Sequence, residues 1–202
     1  MKVVYEYSHL GGAEIMAMRF PALDKEIYQC ISEVRARRIK ESKEKTMKGM
    51  MLYSPGDMND QFDVAFRKRG YQEIRDYYDI RIPGSSVVIP RVYKQMDFTK
   101  QRVFVEVQFG KYAFMFYDMA KFQYFFNESK ADVGIEIVPC HALQAEMSSG
   151  VSYGEQLVYD IERLKRHFPA VPVKVILIDV DEPIIESGVV KLSDIVTKSN
   201  SI

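Results

Sequence analysis

The chain has 202 residues, 47% of them hydrophobic, and its 28 Lys and Arg balance its 28 Asp and Glu, so the formal net charge is zero. That length supports one domain with a substantial core, expected here to span residues 1–202. The zero balance excludes a strongly basic nucleic-acid coat protein, but it leaves room for an enzyme whose positive charge is confined to a cleft and offset by acidic residues elsewhere.

Taken in chain order, KVVYEY at 2–7 predicts a short strand. Residues 22–40 carry Leu23, Ile27, Ile31 and Val34 at helical spacing, which predicts one helix over that range. Its distal half runs into a basic stretch, RARRIKESKEKTMK at 35–48, with seven Lys and Arg against Glu41 and Glu44. That stretch reads either as a solvated helix face with i,i+4 pairs such as Glu41–Lys45 or as an edge that contacts phosphates. Gly49 and Tyr53-Ser54-Pro55-Gly56 punctuate the chain, and 57–69 predicts a second helix stopped by Gly70. Residues 82–91, IPGSSVVIPR, read as a turn-rich connector.

Two strands follow, 91–98 and 102–110, joined by Thr99-Lys100-Gln101. The second alternates, with Val103, Val105, Val107 and Phe109 on one face and Arg102, Phe104, Glu106 and Gln108 on the other. An apolar helix over 113–127, a strand over 133–138, a helix over 154–168 and a strand over 172–180 complete the pattern, with a mixed and partly mobile tail expected after that. Strands alternating with helices predict an α/β fold, a central mixed sheet covered by helices.

No apolar run reaches the length of a membrane span, and the N-terminus lacks the apolar region of a secretory signal. Cys30 and Cys140 fit reduced thiols better than a disulfide framework. Together these predict a cytoplasmic protein.

The sharpest chemical signal is Asp97, Glu106 and Gln108. A hairpin can bring Asp97 beside Glu106, and two hard carboxylates held together suit magnesium. The plainer alternative is a half-buried strand with ordinary polar alternation. His9, His141 and His167 do not combine with the cysteines at zinc spacing, and Asp179 and Asp181 read as a solvated strand end. No glycine-rich phosphate loop, nucleophile elbow or dinucleotide fingerprint is present. Lys111 follows the acidic strand directly. Residues 147–153, MSSGVSY, offer hydroxyls suited to a DNA groove, although an ordinary loop with capping serines accounts for them as well.

The block MDFTKQRVFVEVQFGKYAF resembles the active-site region of the BglII and BstYI group of type II restriction endonucleases, with the likeness leaning toward BstYI. It extends to YSHLGGAE, KESKEKTMKG, LYSP, DVGIEIVP and EMSSGVSY, so it touches most of the chain from 5 to about 160. The resemblance implies a PD-(D/E)XK restriction-endonuclease-like fold, with Asp97, Glu106 and the main-chain carbonyl of Val107 holding Mg2+ and Gln108 standing where most of that superfamily has lysine. It implies a fourth active-site residue upstream, Asp76 or Asp79. Lys111, Ser148 and Ser149 match DNA-contacting segments. The expected activity is cleavage of a palindromic GATC-containing site, RGATCY, leaving 5′ overhangs. A homodimer would carry it out, with a DNA methyltransferase in the same system but not as a stable partner. The rivals are another nuclease of the superfamily, such as a repair or nicking enzyme, a non-catalytic DNA-binding protein, and a hydrolase of small phosphate esters.

Overall fold

The computed structural model describes residues 1–45 and 47–181; the tail expected to be mobile lies beyond them. In chain order the elements are β1 (Lys2–His9), α1 (Gly12–Arg19), α2 (Pro21–Glu33), β2 (Arg38–Glu41), β3 (Met51–Tyr53), α3 (Pro55–Lys68), β4 (Gln72–Arg81), β5 (Val88–Lys100), β6 (Val103–Val107), α4 (Tyr112–Asn127), β7 (Val133–Pro139), α5 (His141–Gln144), α6 (Gly154–Leu164) and β8 (Val173–Asp179). A six-stranded sheet runs β1-β8-β7-β6-β5-β4, and β2 and β3 form a separate ribbon. The β6–β7 and β7–β8 pairs are parallel and the others antiparallel. This is the mixed α/β layer arrangement that the alternation of strands and helices predicts.

Strand periodicity assigns the two faces. Phe98, paired with Val105, stacks on Phe66 of α3 with ring centroids 4.6 Å apart. Lys174 of β8 bonds Asp24 and Tyr28 of α2 on the same side. On the opposite face Phe104 packs on Phe125 of α4 at 5.0 Å, and Gly154 opens α6 against Val138 and Leu177. The three central strands are buried on both faces, which explains their nearly unbroken apolar sequence. Close approach of α4 depends on Gly134, where an added Cβ would lie 2.5 Å from the Phe122 ring.

The expected helix over 22–40 stops at Glu33. Val34 is extended (φ −74°, ψ 137°), and its carbonyl accepts the N-terminal ammonium at 2.6 Å. The Gln61 side chain then bonds both the N–H and the carbonyl of Arg35 at 2.9 Å, standing in for a strand neighbour. The basic stretch therefore feeds a ribbon, and a helical Glu41–Lys45 pairing does not form. Ser54 and Pro55 open α3: Ser54 Oγ accepts from the Asp57 N–H at 3.3 Å and proline takes the first helical turn, where its missing N–H costs nothing.

The expected connector at 82–91 is shorter than its range, because β5 begins at Val88. β4 and β5 pair from end to end, yet only Phe98, Thr99 and Lys100 of β5 pair with β6. The remainder of the hairpin is an arm lying past the β6 ladder. Its inner side rests on α4, where Lys94 faces the rings of Tyr78, Tyr117 and Tyr124 at 5.9, 5.5 and 5.2 Å.

The turn into β6 is Gln101-Arg102, with both residues in the left-handed region (φ 50° and 69°). Arg102 is held there by Asp132 at 2.6 and 2.9 Å and by the Ser129 carbonyl at 2.5 Å. Such bonds offset the steric cost of a left-handed residue with a side chain.

Gly134→Ala is expected to lower unfolding free energy by about 1–3 kcal/mol, because α4 must lift from the sheet to admit the methyl group. Ser54→Ala is expected to lower it by about 1 kcal/mol through loss of the cap. Urea denaturation of the purified variants measures both.

Candidate active site

β5 and β6 stop pairing after Phe98–Val105. Asp97 and Glu106 are the next residues on the two strands, and they are close enough to interact electrostatically. Phe98 and Val105 face α3, so alternation sends Asp97 and Glu106 toward α4. Glu106 is 2% exposed and Asp97 is half-buried. The pair thus sits where two strands part, one carboxylate deep and the other at the rim.

Gln108 lies two residues beyond Glu106, and its own N–H extends the β6–β7 ladder by donating to the Ile137 carbonyl at 2.9 Å. Its side chain is used at both ends: Nε2 donates to Asp118 Oδ2 at 3.0 Å, and Oε1 accepts from the Gly110 N–H at 2.9 Å. Lys121, one helical turn after Asp118 on α4, completes the group. Its Nζ donates to Glu106 Oε1 at 2.6 Å and lies 2.7 Å from Asp118 Oδ1. Glu136 on β7 is in register with Glu106, is 0% exposed, and neither of its carboxylate oxygens has a partner.

Burial dominates the electrostatics. It pushes the Glu106 carboxyl well above the usual carboxylate range, and the neighbouring Asp118 adds to that, while Lys121 opposes it. Asp118 is raised for the same first reason, against the pull of Lys121 and Gln108. Glu136 is raised well above the usual range by complete burial, then by Asp118 and Glu106. Burial alone would lower Lys121, but Glu106 and Asp118 outweigh it and hold its ammonium above the ordinary lysine value. One ammonium therefore faces several carboxyl groups in a medium that screens poorly.

Such a surplus of hard oxygen donors fits a divalent cation. Among the described residues, no group of three or more His, Cys, Asp or Glu side chains is arranged to hold a metal ion. A cation here would take one or two protein carboxylates and fill its remaining positions with water and phosphate. Val107, whose carbonyl was expected to ligate, pairs with Ile137 between Glu106 and Gln108.

Lys111 is exposed at the N-terminal boundary of α4. The loop carrying Ser148 and Ser149 lies beside it, because the Ser152 N–H donates to the Gly110 carbonyl at 2.9 Å. The Ser149 N–H in turn donates to Glu44 at 3.0 Å, and the Tyr53 N–H to the Glu146 carbonyl at 3.1 Å. These bonds gather Lys111, both serines and the basic β2–β3 ribbon next to the end of β6. Of the ribbon's lysines, Lys40, Lys43, Lys45 and Lys48 are exposed.

Neither candidate for a fourth polar residue joins the carboxylates. Asp76 is bound by Lys130 at 2.6 Å and Tyr124 at 2.7 Å, and Asp79 accepts from the Arg91 N–H at 3.1 Å. Asp118 stands beside Gln108 instead. His9 is buried against the Pro169 carbonyl at 2.6 Å, and His141 packs edge-on to Tyr153. Cys30 and Cys140 are both free and buried, and Asp181 pairs with the N-terminal ammonium at 3.1 Å.

Sequence reading passes over Asp118, Lys121 and Glu136. The available signal is an Asp and a Lys at i,i+3 within a helix whose other residues are largely apolar or aromatic. A charged pair in such a helix points inward only when something there needs it. Glu136 carries the same signal inside the apolar strand VGIEIVP.

Among curated proteins none matches the chain significantly. Among solved structures, it resembles restriction endonuclease BglII complexed with a DNA 16-mer, with a TM-score of 0.70 and 21% identity over 91% of this chain and 80% of that one. Free BglII gives a TM-score of 0.62 and 19% identity over 91% and 82%. These likenesses establish a shared fold. Among the described residues no helix is long and apolar enough to cross a membrane. The family profile described as restriction endonuclease BglII/BglIII matches residues 4–178. A match that takes in both strands of the carboxylate hairpin and nearly all of the described chain places this protein in the BglII/BglIII family, as a type II restriction endonuclease and site-specific deoxyribonuclease.

Proposed function

We infer that the chain is a single endonuclease domain that acts as a cytoplasmic homodimer on duplex DNA, requires Mg2+, and cuts a palindrome with a GATC core, RGATCY, to leave 5′ overhangs. The BstYI-leaning resemblance supports the site preference. The observation that carries the catalytic reading is the nearness of Asp97 to Glu106 where β5 leaves β6, with Gln108 on the same face. A non-catalytic DNA binder has no use for paired carboxylates gathered beneath a helix at a strand end. A DNA methyltransferase of matching specificity is expected in the same system.

In this reading Asp97, Glu106 and the Val107 carbonyl would hold the cation, which would supply charge neutralisation at the scissile phosphate and a more acidic water. Gln108 cannot take a proton at neutral pH, so its amide orients the attacking water, and the proton passes to solvent or phosphate. Lys111, Ser148 and Ser149 read base edges. The exposed lysines of the β2–β3 ribbon grip the backbone, and each neutralised phosphate releases counterions. Two-fold symmetry of the dimer matches the palindrome, with one strand cut by each subunit.

Plasmid DNA incubated with the protein and Mg2+, followed by sequencing of the fragment ends, is expected to return one palindrome. Scattered ends, or nicks on one strand only, would reject the restriction-site reading. Glu106→Ala is expected to reduce cleavage at least about a hundredfold while the protein remains folded and binds DNA; retained cleavage removes Glu106 from the site. Lys111→Ala is expected to weaken cognate binding by about 1–3 kcal/mol and relax site preference, measured by titrating cognate and one-base-altered duplexes. Replacing Lys43, Lys45 and Lys48 by Gln is expected to weaken cognate and noncognate duplexes alike. The slope of log affinity against log salt should become shallower by about one for each phosphate that is no longer neutralised.

A further inference from the structure

Lys121 does not belong to the carboxylate hairpin, yet its ammonium occupies the centre of the site. It donates to Glu106 Oε1 at 2.6 Å and pairs with Asp118 Oδ1 at 2.7 Å, and its side chain is 12% exposed. It is the only lysine or arginine bonded to these two carboxylates among the described residues. The geometry points to Lys121 as a built-in counter-ion of the metal-free enzyme: its ammonium sits against the Glu106 oxygen that a divalent cation needs and is moved aside when the cation binds. This rests on the reading of Glu106 as a cation ligand.

Three observations support displacement over a permanent ion pair. First, the pair is not balanced. A single ammonium serves Glu106 and Asp118, while Glu136 beside them has two unpartnered oxygens and Asp97 lies close by. The pocket can accept more positive charge than one lysine brings. Second, Lys121 has somewhere to go. Asp118 lies on its own helix at i,i+3, and the Tyr117 ring is 6.0 Å from Nζ, so release of Glu106 leaves the ammonium with a carboxylate and an aromatic face. Third, Gln108, the strand residue that bonds Asp118, is a neutral amide and brings no charge to the group. The site's positive charge thus comes from a flexible side chain on a helix, which can withdraw without disturbing the sheet. A carboxylate held by a resident ammonium stays oriented in the low-dielectric pocket before the cation arrives, so Lys121 acts as a positioning residue.

Binding of Mg2+ to the DNA-free protein tests this without any turnover. Mg2+ is titrated by calorimetry into wild type, Lys121→Met, Lys121→Gln, Lys121→Arg and Glu106→Gln, and each protein's melting temperature is read in EDTA and in Mg2+. With the competitor removed, Lys121→Met and Lys121→Gln are expected to bind Mg2+ about tenfold more tightly than wild type, whereas Lys121→Arg stays near wild type. Both neutral variants should melt lower than wild type in EDTA and gain more from Mg2+. A variant folded only in Mg2+ is the extreme form of the same result. Unchanged or weaker Mg2+ binding in folded Lys121→Met and Lys121→Gln overturns the inference, as does failure of both to fold even in Mg2+. Those outcomes leave the metal-site reading intact so long as Glu106→Gln abolishes binding. If Glu106→Gln binds Mg2+ like wild type, the cation is not at Glu106 and both readings fall.

Discussion

The site depends on a charge imbalance in a place that screens charge poorly. Glu106 and Asp118 are pressed into the layer between sheet and helix and share a single ammonium, while Glu136, in register beside Glu106, has no partner. In water such a group would titrate normally. Under a helix, desolvation of a carboxylate outweighs the attraction of one lysine, which is why Glu106 and Asp118 both lie above their ordinary range despite touching Lys121. A pocket in that condition favours any additional cation, and it favours protons when no cation is present.

The architecture maintains that imbalance by two means. The arm of β4 and β5 stops pairing with β6 after Phe98–Val105, so Asp97 and Glu106 lie just past the end of the ladder. The helix α4 is seated on the sheet by Phe122 over Gly134 and by Phe125 against Phe104, which fixes where Asp118 and Lys121 arrive. The arm also closes on the helix, through Asp76 with Lys130 and Tyr124 and through Lys94 among three tyrosines. Stability of the α4 packing and geometry of the charged group are thus one property of the fold.

The parts legible in the sequence are those whose periodicity survives burial. The β6 strand announces both faces because Val103, Val105 and Val107 alternate with Phe104 and Glu106, and the apolar runs of β7 and β8 mark them as central strands. The helix after Pro21 reads too long, because its apolar spacing continues through Val34 while the backbone is turned aside by Gln61, a partner 26 residues from Arg35. The strand predicted at 91–98 falls inside β5, but its pairing partner β4 is not legible: residues 72–81 alternate between exposed and half-buried, so no apolar face announces a strand there. For the site, the strand residues can be found and the helix residues cannot. Asp97, Glu106 and Gln108 lie within twelve residues of one another, whereas Asp118 and Lys121 reach them only through the packing of α4.

The glutamine at 108 acquires a physical reason from this arrangement. A lysine there would have no acceptor for the Gly110 N–H. The amide does two things at once: it donates to Asp118, and it accepts the Gly110 N–H, whose residue in turn accepts the Ser152 N–H at 2.9 Å through its carbonyl. A continuous chain of hydrogen bonds therefore runs from the buried carboxylates, through Gln108 and Gly110, to the loop that carries Ser148 and Ser149. With Lys121 supplying positive charge from the helix, the strand position is free to perform this linkage. The same division explains why Gly110 disfavours a larger residue: a Cβ there would lie 2.5 Å from Gln108 Oε1, displacing the acceptor that joins the two ends.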